Sequence, residues 1–559
     1  MDFRNVLMAI VLSTIVLVVW ATLFEAPIVE KQIVENEIKK EEKVSTPSLE
    51  EMESSKKISR NEAINKDDRI KLENNNIRGS ISLVGGIIDD VIFKNYKKTL
   101  NSDEEVVFLN PKSSQEGYYI ETGWASSGSQ KLKLPLDNTN WTVKGNKLLT
   151  PNNPVVLEWD NNEGLVFTKK IELDANFLFK ITQSIKNNSN KSFQFFPYAQ
   201  ITRNYKPKVT PIYILHEGFL GVFGDELKEM DYEDVDKEKF TTSSTKGWLG
   251  ITDKYWLTAI VPEKGKNFKS EFISKDEKYR ANFIVKEPVI LNPNDSVTNQ
   301  INAFVAAKEV AVIDQYAANL GIEKFDLAID WGWFYFFTKP LFFVIDYFFK
   351  LTGNFGFAIV IVTALVRLIF FPLANYSFRS MAKMKILQPE MLRLKELHKD
   401  DKVKLQQEMM ALYKREKVNP ISGCLPVLIQ IPFFFAIYKM LYVTLEMRHQ
   451  PFFGWIEDLS ARDPTSIFNL FGLIPWDPPT FLMIGVWPIL MGLSMYLQQK
   501  LNPTPPDPIQ AKIFMFFPLF LTIILAPFPS GLVVYWTVNN ILTIAQQWII
   551  MRGTKVKTV

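Results

Sequence analysis

The sequence predicts an α-helical polytopic membrane protein, with six transmembrane helices, that carries one large all-β sandwich domain outside the membrane. Three observations predict this fold class. Twenty uncharged residues follow Arg4, the residues from 77 to 325 are polar and strand-like, and charge-free runs recur from residue 334 to the end of the 559-residue chain. Runs of about 20 apolar residues can cross a hydrocarbon core of roughly 30 Å.

The first 24 residues predict an N-terminal transmembrane anchor. Their apolar stretch is longer than the core of a usual signal peptide, and Phe24 stands where cleavage would need a small residue. A cleaved signal peptide is the alternative. Residues 25–76 are rich in Glu, Lys, Ser and Asn with few aromatic residues, so we expect a flexible charged tether.

Residues 77–325 predict the β domain and a terminal helix. Stretches such as GLVFTKKIEL and FQFFPYAQITR combine β-branched and aromatic residues in approximate alternation, which is typical of strands. Breaks rich in Asn at 161–164 and 187–190 separate the strands. Short strands over this length suit a large sandwich, and a helical pattern returns near 308–320.

No constellation in the sequence predicts a catalytic, metal or cofactor site. His216 and Glu217 begin like a zinc-protease motif, but Leu220 stands at the second histidine position. The single cysteine, Cys424, excludes intrachain disulfides and cysteine-rich metal sites. Lys and Arg (64) nearly balance Asp and Glu (61), so we do not expect a large basic surface for sequence-specific nucleic-acid binding.

After the β domain the chain becomes apolar. Residues 326–350 are rich in aromatic side chains but include Asp330, Lys339 and Asp346, with Pro340 in the middle, which favours an interfacial amphipathic helix over a span. Charge-free length then predicts five further transmembrane helices, at residues 351–378, 421–445, 481–500, 511–528 and 530–551.

Lysine and arginine residues in the short loops predict the orientation. The loop at 379–420 carries eleven basic residues, whereas the loop at 446–480 carries two and is otherwise acidic. We therefore expect the basic loop, the N-terminus and the short tail at 552–559 in the cytoplasm. The β domain is expected on the opposite side of the membrane.

Polar residues inside the predicted spans indicate a hydrated site. An intramembrane arginine such as Arg367 costs about 2.5–3.5 kcal/mol, so a water-filled cavity around it is the default hypothesis. Snorkelling of the side chain to the inner headgroups is the alternative. Other spans contain Gln430, Tyr535, Trp536, Asn539 and Asn540. These residues could line the same cavity or form ordinary interhelical hydrogen bonds.

The basic loop predicts a helical hairpin. Apolar residues recur every three or four positions on either side of a break at 398–401, with a basic face opposite a methionine-rich one. Methionine-rich surfaces suit varied apolar partners, so we expect transient capture of apolar segments of other proteins. A simple intramolecular helix pair is the alternative. The methionines concerned are Met384, Met391, Met409 and Met410.

Several long motifs resemble the YidC/Oxa/Alb family of membrane insertases. They are MAKM followed by LQP, the run QQEMMALYKREKVNPISGCLPVLIQIPFFFAIYKML, and FPSGLVVYWTVNN. The first span, tether, outer β domain and basic hairpin are similar to the Gram-negative bacterial branch, so the resemblance covers essentially the whole chain. It implies a periplasmic β-supersandwich, an inner-membrane location and a five-helix core around a hydrophilic groove open to cytoplasm and lipid.

The resemblance also implies roles for residues and partners. The groove residues would be Arg367, Thr363, Gln430, Tyr535, Trp536 and Asn539. The lipid-facing slide along which a substrate leaves would be formed by Ile431, Phe433, Phe434, Phe435, Phe514 and Phe517. The implied partners are nascent integral membrane proteins, Sec translocon components, the ribosome and the signal recognition machinery, with no cofactor.

The function implied is insertion and folding of integral membrane proteins through the groove, alone or with the Sec translocon, without enzymatic chemistry. A secondary transporter is one alternative, but it would need inverted repeats that we do not find. A membrane-anchored envelope enzyme is the other, and it would need a nucleophile or metal site near the interface. Three features depart from the family pattern: extra length at 467–480 in the outer loop, the charge of Lys439, and the short tail after Arg552.

Overall fold

Two regions make up the structure, an all-β domain followed by a helical half. The structure is a computed structural model, and it describes residues 46, 57–127, 132–209, 215–332, 334–399, 401–416, 418, 425–476, 478–479, 482–502 and 508–553. The predicted N-terminal anchor and most of the predicted tether and tail lie outside the described residues.

In the described residues, twenty strands form two sheets. In chain order the strands are β1 (Arg69–Glu73), β2 (Ile77–Ser82), β3 (Ile87–Lys97), β4 (Glu105–Leu109), β5 (Tyr118–Ser126), β6 (Thr142–Lys144), β7 (Leu148–Leu149), β8 (Val155–Asp160), β9 (Leu165–Leu173), β10 (Leu178–Asn187), β11 (Phe193–Arg203), β12 (Gly218–Phe223), β13 (Glu226–Asp231), β14 (Phe240–Ser244), β15 (Gly247–Thr252), β16 (Trp256–Val261), β17 (Phe268–Lys275), β18 (Lys278–Val285), β19 (Val289–Leu291) and β20 (Ser296–Ala307).

The two sheets pack against each other through aromatic and aliphatic side chains. One sheet has the order β14-β17-β18-β11-β5-β3-β2-β1-β7, with β19 on β11 and β4 on β3; the other has the order β13-β12-β15-β16-β20-β10-β9-β8-β6. Phe93 of the first sheet stacks on Trp256 of the second at 4.8 Å between ring centroids. Phe167 and Phe195 also meet across the sheets, edge-on at 6.3 Å between ring centroids. The predicted sandwich is therefore confirmed.

Residue alternation explains the strands that the sequence predicted. Along β9, buried and partly exposed positions alternate at every residue, because successive side chains point to opposite faces of a sheet. The turn before β9 contains Asn162 at φ 58° and Gly164 at φ 92°. These residues tolerate the left-handed region, so the predicted break falls at this turn.

The folded domain begins earlier than predicted. The composition of residues 57–76 predicts a tether, but these residues include a helix, α1 (Arg60–Lys66), as well as β1. Ile70 and Leu72 of β1 are each 1% exposed and belong to the sandwich core. The charged residues around β1 hid this alternating pattern in a segment of tether-like composition.

Ten further helices follow in the described residues. They are α2 (Tyr232–Lys237), α3 (Val310–Leu320), α4 (Tyr335–Thr352), α5 (Phe355–Ile369), α6 (Phe371–Leu397), α7 (Lys402–Arg415), α8 (Leu425–Val443), α9 (Val486–Leu501), α10 (Pro508–Leu525) and α11 (Ser530–Gly553). The helix predicted near 308–320 is confirmed as α3. The hairpin with its break at 398–401 is confirmed as α6 and α7.

The predicted span at 351–378 is not one helix. Gly353, at φ 67°, ends α4, and a bend of 68° at Phe370 separates α5 from α6. Pro372 lies in the first turn of α6, where its missing N–H and its ring prevent a continuous helix through this point. The first arm of the hairpin therefore begins at Phe371, before the predicted loop at 379.

Among the described residues, no helix is by itself both long and apolar enough to cross a bilayer, although α5 and α6 meet this criterion together as a bent pair. Shorter apolar helices cover Gln430–Val443 and Ala511–Leu525. The count of six spans stays a prediction.

Polar contacts join the β domain to the helical half. The Arg448 guanidinium donates to the Lys97 carbonyl at 2.7 Å, and Glu446 Oε1 accepts from the Val310 N–H at the start of α3, also at 2.7 Å. Lys439 Nζ on α8 lies 2.6 Å from Asp330 Oδ2, which also accepts from the His216 N–H at 3.0 Å. Lys439 thus connects α8 to the segment between the two regions.

Candidate functional site

Arg367 lies near the end of α5, just before the bend at Phe370. Its Nε donates to Asn539 Oδ1 at 2.9 Å, and its Nη2 donates to Gln430 Oε1 at 3.1 Å. Three helices that are distant in sequence therefore meet at one guanidinium. Among the residues that the structure describes, no carboxylate forms an ion pair with Arg367, so its partners are neutral amides.

The bend at Phe370 also affects the backbone hydrogen bonds at the end of α5. Carbonyl groups in the last turn of a helix lack intrahelical partners. The Arg367 carbonyl accepts from Gln546 Nε2 of α11 at 3.2 Å. Arg367 is thus held at both its side chain and its backbone by α11.

A cavity of about 50 Å³ lies at this site. Its polar lining consists of Thr363, Arg367, Gln430, Tyr535, Asn539 and Gln546. Its apolar lining consists of Leu341, Val362, Val366, Phe370, Leu373, Ala374, Phe433 and Ile437. A mixed lining of this kind can hold a polar group against an apolar wall.

Helix periodicity selects which polar residues of α11 reach the cavity. Tyr535, Asn539 and Gln546 line it at spacings of four and seven residues, which place them on one face. Asn540 faces α9 instead, and its Nδ2 donates to Ser494 Oγ at 3.0 Å. Gln547 likewise donates to Asn502 Oδ1 at 3.2 Å.

The structure brings five of the six predicted groove residues together, and Trp536 is the exception. Its ring packs edge-on against Phe434 at 4.8 Å, beside Met491 and Leu525 of the neighbouring helices. Sequence reasoning missed Gln546, although its position seven residues after Asn539 could have identified it. Phe370 and Leu373 were also missed, because their placement depends on the bend.

The predicted slide divides into two groups. Ile431 and Phe435 on α8, and Phe514 and Phe517 on α10, are 42–52% exposed and face outward. Phe433 and Phe434 are only partly buried and pack inward. Phe433 meets Phe337 of α4 at 4.6 Å between ring centroids and lines the cavity, so it does not belong to an outward surface.

The hairpin methionines are not all on the surface. Met410 is 53% exposed, whereas Met391 is 7% exposed and Met384 and Met409 are intermediate. Leu412 is also buried, at 3% exposed. The exposed apolar surface of the hairpin is instead completed by Ile386, Leu392, Leu397 and Val403.

Comparison with known proteins identifies the family. Residues 69–344 match the YidC periplasmic domain, and residues 347–557 match the family described as the 60Kd inner membrane protein. A membrane protein insertase YidC from Pelagibacter ubique (strain HTCC1062) is 57% identical over 559 residues, which cover 100% of each chain. The chain belongs to the YidC family of membrane protein insertases.

A second relative extends this result. The membrane protein insertase YidC of Methylorubrum extorquens (strain PA1) is 47% identical over 89% of this chain and 83% of its own. A crystal structure of an active YidC insertase covers 85% of this chain and 91% of that one, with 17% identity and a TM-score of 0.34. The YidC relatives are named as insertases and not as enzymes, in agreement with the sequence-based prediction. The β domain is the periplasmic domain of this inner-membrane protein.

Proposed function

We propose that this insertase receives the polar flank of a client segment in the cavity around Arg367, while the apolar part of the segment moves into lipid. The observation that supports this proposal is the set of partners of Arg367. Asn539 and Gln430 orient the guanidinium through neutral oxygens. Its positive charge is therefore left to attract an acidic client flank.

The free energy of insertion comes from the client itself. A segment of ~20 apolar residues gains roughly 0.3–0.6 kcal/mol per strongly apolar residue on entering the bilayer. The obstacle is the polar flank, which must cross hydrocarbon. A polar cavity that reaches part of the way lowers this barrier, and the membrane potential contributes about 2.3 kcal/mol per charge per 100 mV.

The client leaves along the outward apolar residues of α8 and α10. Ile431, Phe435, Phe514 and Phe517 form this slide in our proposal, because each is substantially exposed. Phe433 lines the cavity and Phe434 packs on Trp536, so neither belongs to the exit in this proposal. Ile437 is 2% exposed, and Met440 and Leu441 are fully buried, which supports a cavity closed on the periplasmic side.

The surrounding topology is part of the proposal. Six spans would put both termini in the cytoplasm, with a five-helix core around the cavity and α4 at the periplasmic interface. The basic hairpin would capture clients and receive them from the ribosome or the signal recognition machinery. The Sec translocon would cooperate on larger clients. The eleven basic residues at 379–420 support this orientation.

The test uses the purified full chain in proteoliposomes and a small client with an acidic flank. Arg367→Lys should retain most of the insertion rate, Arg367→Ala should lose about tenfold, and Arg367→Glu should lose more through charge repulsion. A client whose flank is neutralised should depend much less on Arg367. Equal insertion of the acidic-flanked client by the wild-type, Ala and Glu proteins would contradict the proposal. Protease protection measures each rate.

A further inference from the structure

The outer loop between α8 and α9 presents an apolar surface that the insertion mechanism does not use. We call residues 467–476 the apolar tip. Seven of its ten residues have large apolar side chains, and each of these is at least 37% exposed, with Leu473 the most exposed at 83%. No charged residue occurs between Asp463 and Asp477. An exposed apolar patch of this density marks an interaction surface.

Residues 461–466, which we call the stem, fix the apolar tip to the rest of the molecule. Asp463 is 2% exposed; its Oδ2 accepts from the Trp487 N–H at 2.9 Å and its Oδ1 accepts from the Trp455 indole at 3.1 Å. Thr465 Oγ1 accepts from the Val486 N–H at 3.0 Å. The stem therefore caps the N-terminus of α9, and it holds the apolar tip in a defined place.

The stem also determines at which end of the helices the apolar tip lies. The Ala461 carbonyl accepts from the Ser530 N–H at the start of α11, at 2.6 Å. The N-termini of α9 and α11 thus lie at the stem, on the side where Arg448 contacts the β domain. Because that domain is periplasmic, the apolar tip lies at the periplasmic ends of the helices.

The backbone of the apolar tip is internally hydrogen-bonded. The Phe471 N–H donates to the Ser466 carbonyl at 2.8 Å, the Ile474 N–H to the Asn469 carbonyl at 3.0 Å, and the Trp476 N–H to the Ile474 carbonyl at 2.8 Å. A loop that enters the apolar part of a leaflet needs such pairing, because no water is available there to pair its backbone groups.

Two residues of the apolar tip hold a backbone conformation that favours glycine. Leu470 has φ 48° and Phe471 has φ 59°, and both side chains are more than half exposed. Glycine would adopt this conformation at lower cost. Large apolar side chains at these positions do not pack in the core, so the stability of the fold does not explain their presence.

We infer that the apolar tip inserts into the periplasmic leaflet of the bilayer and anchors the outer end of the α9–α10 pair. A lipid surface fits because the tip is uncharged, contains Phe and Trp, and is continuous with the outward apolar residues of α9, where Leu490 is 39% exposed. Arg462 in the stem is exposed and can meet lipid phosphates. The inference rests on the membrane placement of α9 and α10 proposed above.

The test measures the depth of a fluorescent label in lipid nanodiscs. The full chain carries Cys424→Ser and one new cysteine, at Leu473→Cys for the apolar tip. Ile523→Cys near the periplasmic end of α10 is the membrane control, and Ile290→Cys, 56% exposed in the β domain, is the aqueous control. Lipids with a nitroxide near the headgroup should quench the labels at 473 and 523 at least twofold, and should not quench the label at 290.

Other patterns of quenching would overturn the inference or the membrane placement on which it rests. Quenching of the label at 523 without quenching at 473, together with iodide access at 473, would overturn the inference and leave the insertion mechanism intact. Protection of 473 from both quenchers would also overturn it, because the tip would then pack on a second protein chain. Absence of quenching at 523 would show that the proposed membrane placement of α9 and α10 is wrong. As a second variant, Phe471→Ser with Leu473→Ser should reduce quenching of a label at Ile474→Cys to the level of the aqueous control.

Discussion

Asn539 and Asn540 are adjacent in the sequence but face different parts of the structure. Both are 3% exposed, yet Asn539 accepts from Arg367 whereas Asn540 donates to Ser494 on α9. One step along a helix turns a side chain by about 100°, which is enough to separate a site residue from a packing residue. The pair provides a matched test of the cavity.

We expect Asn539→Ala to reduce insertion of acidic-flanked clients by roughly 3- to 10-fold, since it removes an amide that orients the guanidinium. Neutral-flanked clients should be affected less. Asn540→Ala should lower thermal stability by about 1 kcal/mol and leave the ratio of acidic to neutral clients unchanged. The insertion rates of both clients, measured for both variants, check this. Equal ratios in the two variants would show that Asn539 does not act through Arg367.

Glu446 introduces a pH dependence at the junction of the two regions. Burial raises the pKa of Glu446 from its ordinary value of 4.5 to about 7, and the carboxylates of Glu309 and Asp346 act in the same direction. Tyr96 donates to Glu309 at 2.7 Å, and Arg448 lies on the same short loop as Glu446. The Glu446 Oε2 atom is buried without a hydrogen-bond partner among the described residues, as suits a protonated acid.

Because folding raises this pKa, the folded state binds the proton more tightly than the unfolded state. Stability of the junction should be complete below about pH 4.5 and should fall as the pH rises through about 7. Glu446→Gln keeps an acceptor for the Val310 N–H and removes the titration. Hydrogen exchange in the first turn of α3, followed from about pH 5 to about pH 8, should show the fall in the wild type only. The same slope in both proteins would contradict this assignment.

At the scale of elements, the bend at Phe370 determines the geometry of the site. It ends α5 two residues after Arg367, exposes the Arg367 carbonyl to Gln546, and directs α6 into the hairpin. The hairpin is thus a direct extension of the helix that follows the site. This continuity supports a capture role close to the cavity.

Deletion of residues 384–413 with a short linker should abolish support of growth while the helical half remains folded. A finer comparison uses two methionines of the hairpin. Met410→Ser should weaken crosslinking to clients because Met410 is 53% exposed, whereas Met391→Ser should act mainly on stability because Met391 is 7% exposed. Full complementation by the deletion would favour a simple intramolecular helix pair.

For the whole molecule, the β domain and the helical half share one continuous buried core as well as polar contacts. Arg448, Glu446 and Lys439 form polar contacts across the junction, and Lys339 of α4 lies 2.8 Å from Asp314 of α3. The cavity lining comes entirely from the helical half. Among the described residues, none that lines the cavity belongs to the β domain.

Deletion of the β domain should retain insertion of small clients if the ends of the deletion match the ends of the folded domain. A deletion of residues 57–324 removes α1, β1 and α3 together with the sandwich. A deletion of 77–307 leaves Ile70 and Leu72 without the core that buries them, so it should give lower protein levels. Insertion per molecule, measured in proteoliposomes, checks this. Complete loss of insertion by well-folded 57–324 deletion protein would assign the β domain an essential part in the step.

The sequence by itself determined the elements whose signal is local. Alternating residues predicted β9, β10 and β11 and the sandwich that they build, helical spacing predicted α3 and both arms of the hairpin, and one arginine in an apolar run predicted the site. These features depend on periodicity and on the cost of burying charge, which a single chain displays. Polar residues inside other apolar runs predicted Gln430, Tyr535 and Asn539, which do meet in one cavity.

Only the tertiary structure decided the features that depend on a partner distant in sequence. Trp536 packs on Phe434 and Gln546 reaches Arg367, because the neighbours of α11 determine the role of each of its faces. Phe433 faces inward because α4 supplies Phe337. The start of the β domain and the ion pair between Lys439 and Asp330 could not be predicted from the sequence either. A local pattern cannot show which surface of an element another element will cover, since that depends on how the whole chain packs.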